Sequence, residues 1–210
     1  MRRLLYLMSL SFGLFAAQTT LGQISGSAHD FSAATWNSTD EICIVCHTPH
    51  NADVTVANAP LWNHQLSTVN PYTVYTSLTL DATVGQPSAS SKLCLSCHDG
   101  SVALENFGGV TTGTNFISGG ANIGGTSHGD LSNDHPISFT YNTALATTDG
   151  GLFDPSTQTS GLGGTIDEDL LFGGKMECAS CHDVHNAYNN LGLLVKPNTA
   201  SALCLTCHDK

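Results

Sequence analysis

Apolar positions along this chain seldom recur with the spacing of a helix or the alternation of a strand. The one continuous apolar run, Leu4 to Ala17 behind Arg2 and Arg3, has the length and basic flank of a secretory signal and is too short for a permanent membrane span. Ala17 and Gly22 both suit cleavage. Gly22 is preferred, which gives a signal peptide over 1–22 and a mature chain over 23–210. The paired Arg lacks the rest of a twin-arginine signal, and no Cys precedes Cys43 to carry a lipid. Further on, PYTVYTSLTL (71–80) and ISFTYN (137–142) are rich in strand-favouring residues and predict two strands. Residues 108–125 and 147–164 predict Gly/Thr/Asn loops. Residues 23–42 predict an extended arm carrying His29 and Trp36. Most of the remainder predicts coil.

Composition sharpens this picture. Charged residues make up only 11% of the chain, yet the small polar residues are abundant and the aliphatic ones scattered. A chain of this length ordinarily buries one core; this one is short of side chains to build it, so something else must fill the interior. Loss of Arg2 and Arg3 with the signal leaves Lys92, Lys175, Lys196 and Lys210 against 17 acidic residues, a net charge of about −13. Four cations cannot neutralise a phosphate backbone, which argues against nucleic acid as a partner.

The eight cysteines name the missing filler. They fall into CIVCH (Cys43, Cys46, His47), CLSCH (Cys94, Cys97, His98), CASCH (Cys178, Cys181, His182) and CLTCH (Cys204, Cys207, His208). This is the C-x-x-C-H haem-attachment spacing: two thiols add to the two vinyl groups on one porphyrin edge, and the next imidazole reaches the iron from one face. A disulfide framework or zinc sites would use the same cysteines, but neither needs a His after every second Cys. The expectation is four covalently bound haem c groups, whose apolar faces supply the burial that the side chains do not. The fold class that follows is a multihaem cytochrome c: mostly coil, short helices at the C-x-x-C-H motifs, little β structure, and a haem stack as the core.

Each iron needs a second ligand or an open face. After signal removal only Met176 remains, two residues before Cys178, so His/Met ligation is not expected to dominate. Six further His are available, and an internal repeat ranks them. AHDFS, CIVCHTPHNA and KLCLSCHD in the first half answer to DHPISF, CASCHDVHNA and ALCLTCHD in the second. The repeat divides the mature chain into two diverged dihaem halves, about 23–105 and 126–210, and picks His29, His50, His135 and His185 as distal ligands. His50 and His185 follow His47 and His182 by three residues. They share a face with the proximal ring and should therefore ligate a different haem. His64, beside Trp62, reads as a packing residue or one that supports a ligand; His128 reads as a loop residue. Either could still replace one of the four.

HDFS, CIVCHTPHNA, PLWNH, YTVYTSLTLDA, LCLSCHDGSVA, NDHPISF, CASCHDVHN and LCLTCH together resemble the doubled-CxxCH multihaem cytochromes. Within them the haem count, length and signal are similar to the OmcE-type extracellular cytochrome filaments. That resemblance implies a head-to-tail homopolymer, a continuous haem stack, and one axial His supplied by the neighbouring subunit, for which His29 on its N-terminal arm is the candidate. It also implies an electron-transfer protein and not an enzyme, placed outside the cell or at its surface. Its partners would be other redox proteins and extracellular acceptors, with no membrane span after processing. Three rivals share the motifs. They are a monomeric periplasmic shuttle, a multihaem reductase, which the surplus of His and scarcity of Lys disfavour, and a zinc-binding adhesin.

Overall fold

The computed structural model describes residues 22–209, so the expected signal peptide, apart from Gly22, lies outside the described residues. Within them the chain is mostly turns and coil. Four two-residue strands, β1 (Thr73–Val74), β2 (Asp130–Leu131), β3 (Phe139–Thr140) and β4 (Lys175–Met176), pair as a parallel β1–β2 ladder and an antiparallel β3–β4 ladder. Four short helices accompany them: α1 (Ala89–His98), α2 (Thr143–Asp149), α3 (Ile166–Leu170) and α4 (Cys204–Cys207). No helix among the described residues is long and apolar enough to cross a membrane.

The helices begin and end on local chemistry. Asn142 caps α2 by accepting from the Leu145 amide, and Gly150, at φ 69°, closes it by donating its N–H to the Ala146 carbonyl. Thr165 and Glu168 form a reciprocal capping box at the start of α3. α1 carries the second C-x-x-C-H motif and buries Leu93 and Leu95. It stops at Gly100, where φ is 76° and an added Cβ would lie 2.7 Å from the Asn122 side chain.

The apolar interior is divided. The largest cluster centres on Phe139, Tyr141, Ile166, Leu170 and Met176 in the second half. Val56, Trp62 and Leu93 form a second, and Tyr72, Leu95 and Leu131 a third. A buried polar contact ties the α1 region to segments far along the chain. Glu177, 1% exposed, accepts hydrogen bonds from Ser88 (2.8 Å) and Ser91 of the α1 region and from Ser138 (2.9 Å).

Two expectations are revised. Residues 23–42 are not extended: amide-to-carbonyl bonds Ser27→Ile24, Asp30→Ser27, Ala34→Phe31 and Asn37→Ala34 fold them into successive turns. Asp30 and Asn37 hold those turns by capturing Ser32 and Thr39. The strand expected over 71–80 shrinks to Thr73–Val74, because its partner segment offers only Asp130 and Leu131. The strand expected over 137–142 contains β3.

Candidate haem-binding site

All four motifs adopt a compact turn, and α1 carries the second as full helix. The amide of the motif His bonds the carbonyl of the first Cys at 2.9 Å for His47, 3.1 Å for His182 and 3.0 Å for His208. The first motif makes this bond without becoming a regular helix, which differs from the expectation of a helix at every motif. A 3-10 turn, Cys178–Ser180, forms the third.

Three motifs are braced identically. The residue after the motif His donates to a passing segment: Thr48 to Leu61, Asp183 to Leu193, Asp209 to Gly151. The second Cys accepts from the same segment two residues on: Cys46 from Asn63, Cys181 from Val195, Cys207 from Phe153. Trp62, Leu194 and Leu152 thus each pair antiparallel with a motif His. The first and third motifs, counterparts in the sequence repeat, therefore share their backbone hydrogen bonding, whereas the second does not share that of the fourth.

The passing segments also fix the imidazoles. Nδ1 of His47 lies 2.5 Å from the Pro60 carbonyl, Nδ1 of His98 2.7 Å from that of Ala121, and Nδ1 of His182 2.9 Å from that of Gly192. A carbonyl oxygen can only accept, so Nδ1 carries the proton and Nε2 presents its lone pair. That is the arrangement by which a protein orients a metal-ligating His. These three carbonyls were not anticipated from the sequence, which marks no side chain at their positions.

Second imidazoles stand opposite three of the four. The ring centroids of His29 and His98 are 6.0 Å apart, those of His47 and His185 6.2 Å, and those of His135 and His208 6.4 Å. An ion held about 2 Å from the ligating nitrogen of each of two opposed rings needs centroids about 6 Å apart. Burial, followed by the nearby imidazoles of His98, His182 and His185, pushes His29 down to about 4, which keeps it in the neutral, ligating form near neutral pH. Its Nδ1 is buried without a hydrogen-bond partner. His50 is exposed. Among the described residues no imidazole faces His182 at such a spacing.

The two remaining His are engaged otherwise. His64 is 2% exposed, with one ring nitrogen 2.9 Å from the Gln65 carbonyl and the other 3.1 Å from that of Ala103. Its ring also lies 3.5 Å from the Cys97 sulfur. His128, in the left-handed region at φ 64°, meets the Asp99 carbonyl at 3.1 Å.

None of the cysteines is paired as a disulfide. Their sulfurs form a string in chain order, through the electrostatic neighbours Cys46–Cys97, Cys94–Cys178 and Cys181–Cys204. Burial raises the thiols of Cys46, Cys181 and Cys207 to about 11. No group of three or more His, Cys, Asp or Glu among the described residues is placed to hold a bare metal ion.

Residues 172–210 match the family described as the doubled CXXCH motif. The chain carries a c-type haem-binding motif. The matched stretch contains Cys178, Cys181, His182, Cys204, Cys207 and His208, a pair consistent with a multihaem c-type cytochrome and an electron-carrier role. No curated protein is significantly similar to the chain. The rest of the haem-binding geometry fits the group: oriented Nε2 lone pairs, paired imidazoles, and a mostly coil scaffold whose apolar interior is broken into three.

Proposed function

We propose that this chain is a tetrahaem c-type cytochrome that carries electrons outside the cell, built from two dihaem halves and polymerising head to tail. The observation that carries the reading is the set of three imidazole pairs at 6.0–6.4 Å, each including the His of a C-x-x-C-H motif. When bound, haem supplies one-electron chemistry between Fe(III) and Fe(II), while the protein sets ligation, spacing and potential.

In this reading the eight Cys hold the porphyrin edges, and His47, His98, His182 and His208 are the proximal ligands. His29 serves the site of His98, His185 that of His47, and His135 that of His208. The pattern follows the repeat. The leading His of each half serves the second motif of that half, and the His three residues after the first motif serves the other half.

His50 is the remaining distal ligand and His182 the remaining site. We assign His50, in place of His29, as the residue that crosses to the next subunit. His29 already stands opposite His98 of its own chain, whereas His50 is exposed, and so are Val54, four residues on, and Leu61, whose carbonyl receives the Thr48 amide, at 85% and 58%. An open apolar margin around an outward ligand suits a second copy of the chain. An interface of this kind that does not close on itself makes a filament.

The test is electron microscopy of native secreted material combined with intact mass. Filaments whose subunits carry four haem masses support the reading. His50→Ala should release them as single subunits, each retaining four haems. Small particles from the unaltered chain would favour a monomeric shuttle, and a mass equal to the bare polypeptide would end the haem reading itself.

A further inference from the structure

Two buried carboxylates border the second attachment motif with no cation paired to them, Asp99 directly and Glu177 from its place beside Cys178 of the third. Glu177, 1% exposed, receives the hydroxyls of Ser88, Ser91 and Ser138. Ser91 also receives the Cys178 amide at 2.9 Å, and Cys178 is hydrogen-bonded through its thiol to Cys94. The Glu177 charge therefore lies where the attachment turn of the third motif meets that of the second. Asp99, 0% exposed, follows His98 directly. It accepts from Ser67, from the Tyr72 hydroxyl at 2.6 Å and from the Ser101 amide at 2.7 Å, and its charge acts on Cys97. Among the described residues, Lys and Arg form no ion pair with either.

A buried ion is ordinarily expensive unless an opposite charge compensates it. Here the partners are neutral donors, hydroxyls and a backbone amide. Such donors hold a negative charge in place without cancelling its field, which is weakly screened in a low-dielectric interior. Haem iron, when bound at the attachment sites, would change its charge within that field, and a fixed negative charge favours the more positive, oxidised iron.

We propose that Glu177 and Asp99 set the haem attached at Cys94 and Cys97 as the lowest-potential haem of the four. The proposal rests on the tetrahaem reading above, and names Glu177 and Asp99 as potential-tuning residues that ligate nothing. It gives the chain an internal order: the second site is the hardest to reduce, and the remaining three fill first.

The test is spectroelectrochemical titration of the secreted holoprotein. Glu177→Gln should shift the lowest-potential quarter of the curve upward, raise the quarter belonging to the third site as well, and leave the other two in place. Asp149→Asn, neutralising a carboxylate on exposed α2, should leave the whole curve unchanged. If Glu177→Gln does not accumulate, Asp99→Asn and Ser88→Ala carry the test. The first should raise the lowest-potential quarter, and the second, which removes a neutral donor and keeps the charge, should lower it. A curve unmoved by these substitutions, or one in which all four quarters move equally, overturns the proposal. Failure of the tetrahaem reading is distinguishable, because four haem masses would be missing before any titration begins.

Discussion

The imidazoles of His47 and His185 lie nearly parallel, 6.2 Å apart with 16° between their planes, although 138 residues separate them in the chain. The other two pairs are nearly perpendicular, at 75° for His29 with His98 and 79° for His135 with His208. Ring orientation tunes the d orbitals of a bound iron. Electron paramagnetic resonance should therefore show a rhombic low-spin signal from the parallel pair and strongly anisotropic signals from the perpendicular ones. His185→Ala should abolish the rhombic signal and create a high-spin one while all four haems stay attached. A spectrum unchanged by that substitution would contradict the pairing.

Attachment is tested by mass. Cys94→Ser with Cys97→Ser should lower the intact mass by one haem in four, because a coordinate bond to His98 does not survive denaturing ionisation and thioethers do. A full complement of four in this variant would show that these two cysteines are not an attachment site.

Leu95 lies between the two cysteines of α1 and is 0% exposed. Leu95→Ala removes a buried side chain packed with Tyr72 and Leu131, and should cost about 2–5 kcal/mol. The check is the midpoint of chemical denaturation, which should fall with little change in slope.

Glu105 makes one loop acid-sensitive. Burial raises its carboxyl, but hydrogen bonds from the Thr114 amide and from the Asn115 side chain and amide outweigh that, and the net shift is downward from 4.5. A carboxylate lowered in the folded state contributes stability that is complete above its unfolded value and is lost as pH falls through the folded one. Hydrogen-exchange protection at Thr114 and Asn115 should hold above pH 4.5 and drop below it. Glu105→Gln should have low protection at every pH.

The motif cysteines and their following His are legible because covalent chemistry demands a rigid spacing. The short ladders are only partly legible: Tyr72 is buried, but Leu78 is wholly exposed, and no hydrophobic pattern in 71–80 says that pairing ends at Val74. The carbonyls of Pro60, Ala121 and Gly192 are invisible in sequence, since any residue supplies one and only the path of the chain delivers it. The turns of 23–42 could have been found. Asp30 with Ser32, and Asn37 with Thr39, are the side-chain-to-backbone signature of turn chemistry, which the expectation of an arm passed over.

The three separate apolar clusters have a consequence for biogenesis. Each gathers only part of the buried apolar side chains, and a small core gives little stability by itself. A polypeptide that missed its prosthetic groups would spend much of its time open to proteases. If the chain is the haem protein proposed above, turnover would then remove empty copies without any dedicated inspection step, and the molecules that persist would be those already loaded.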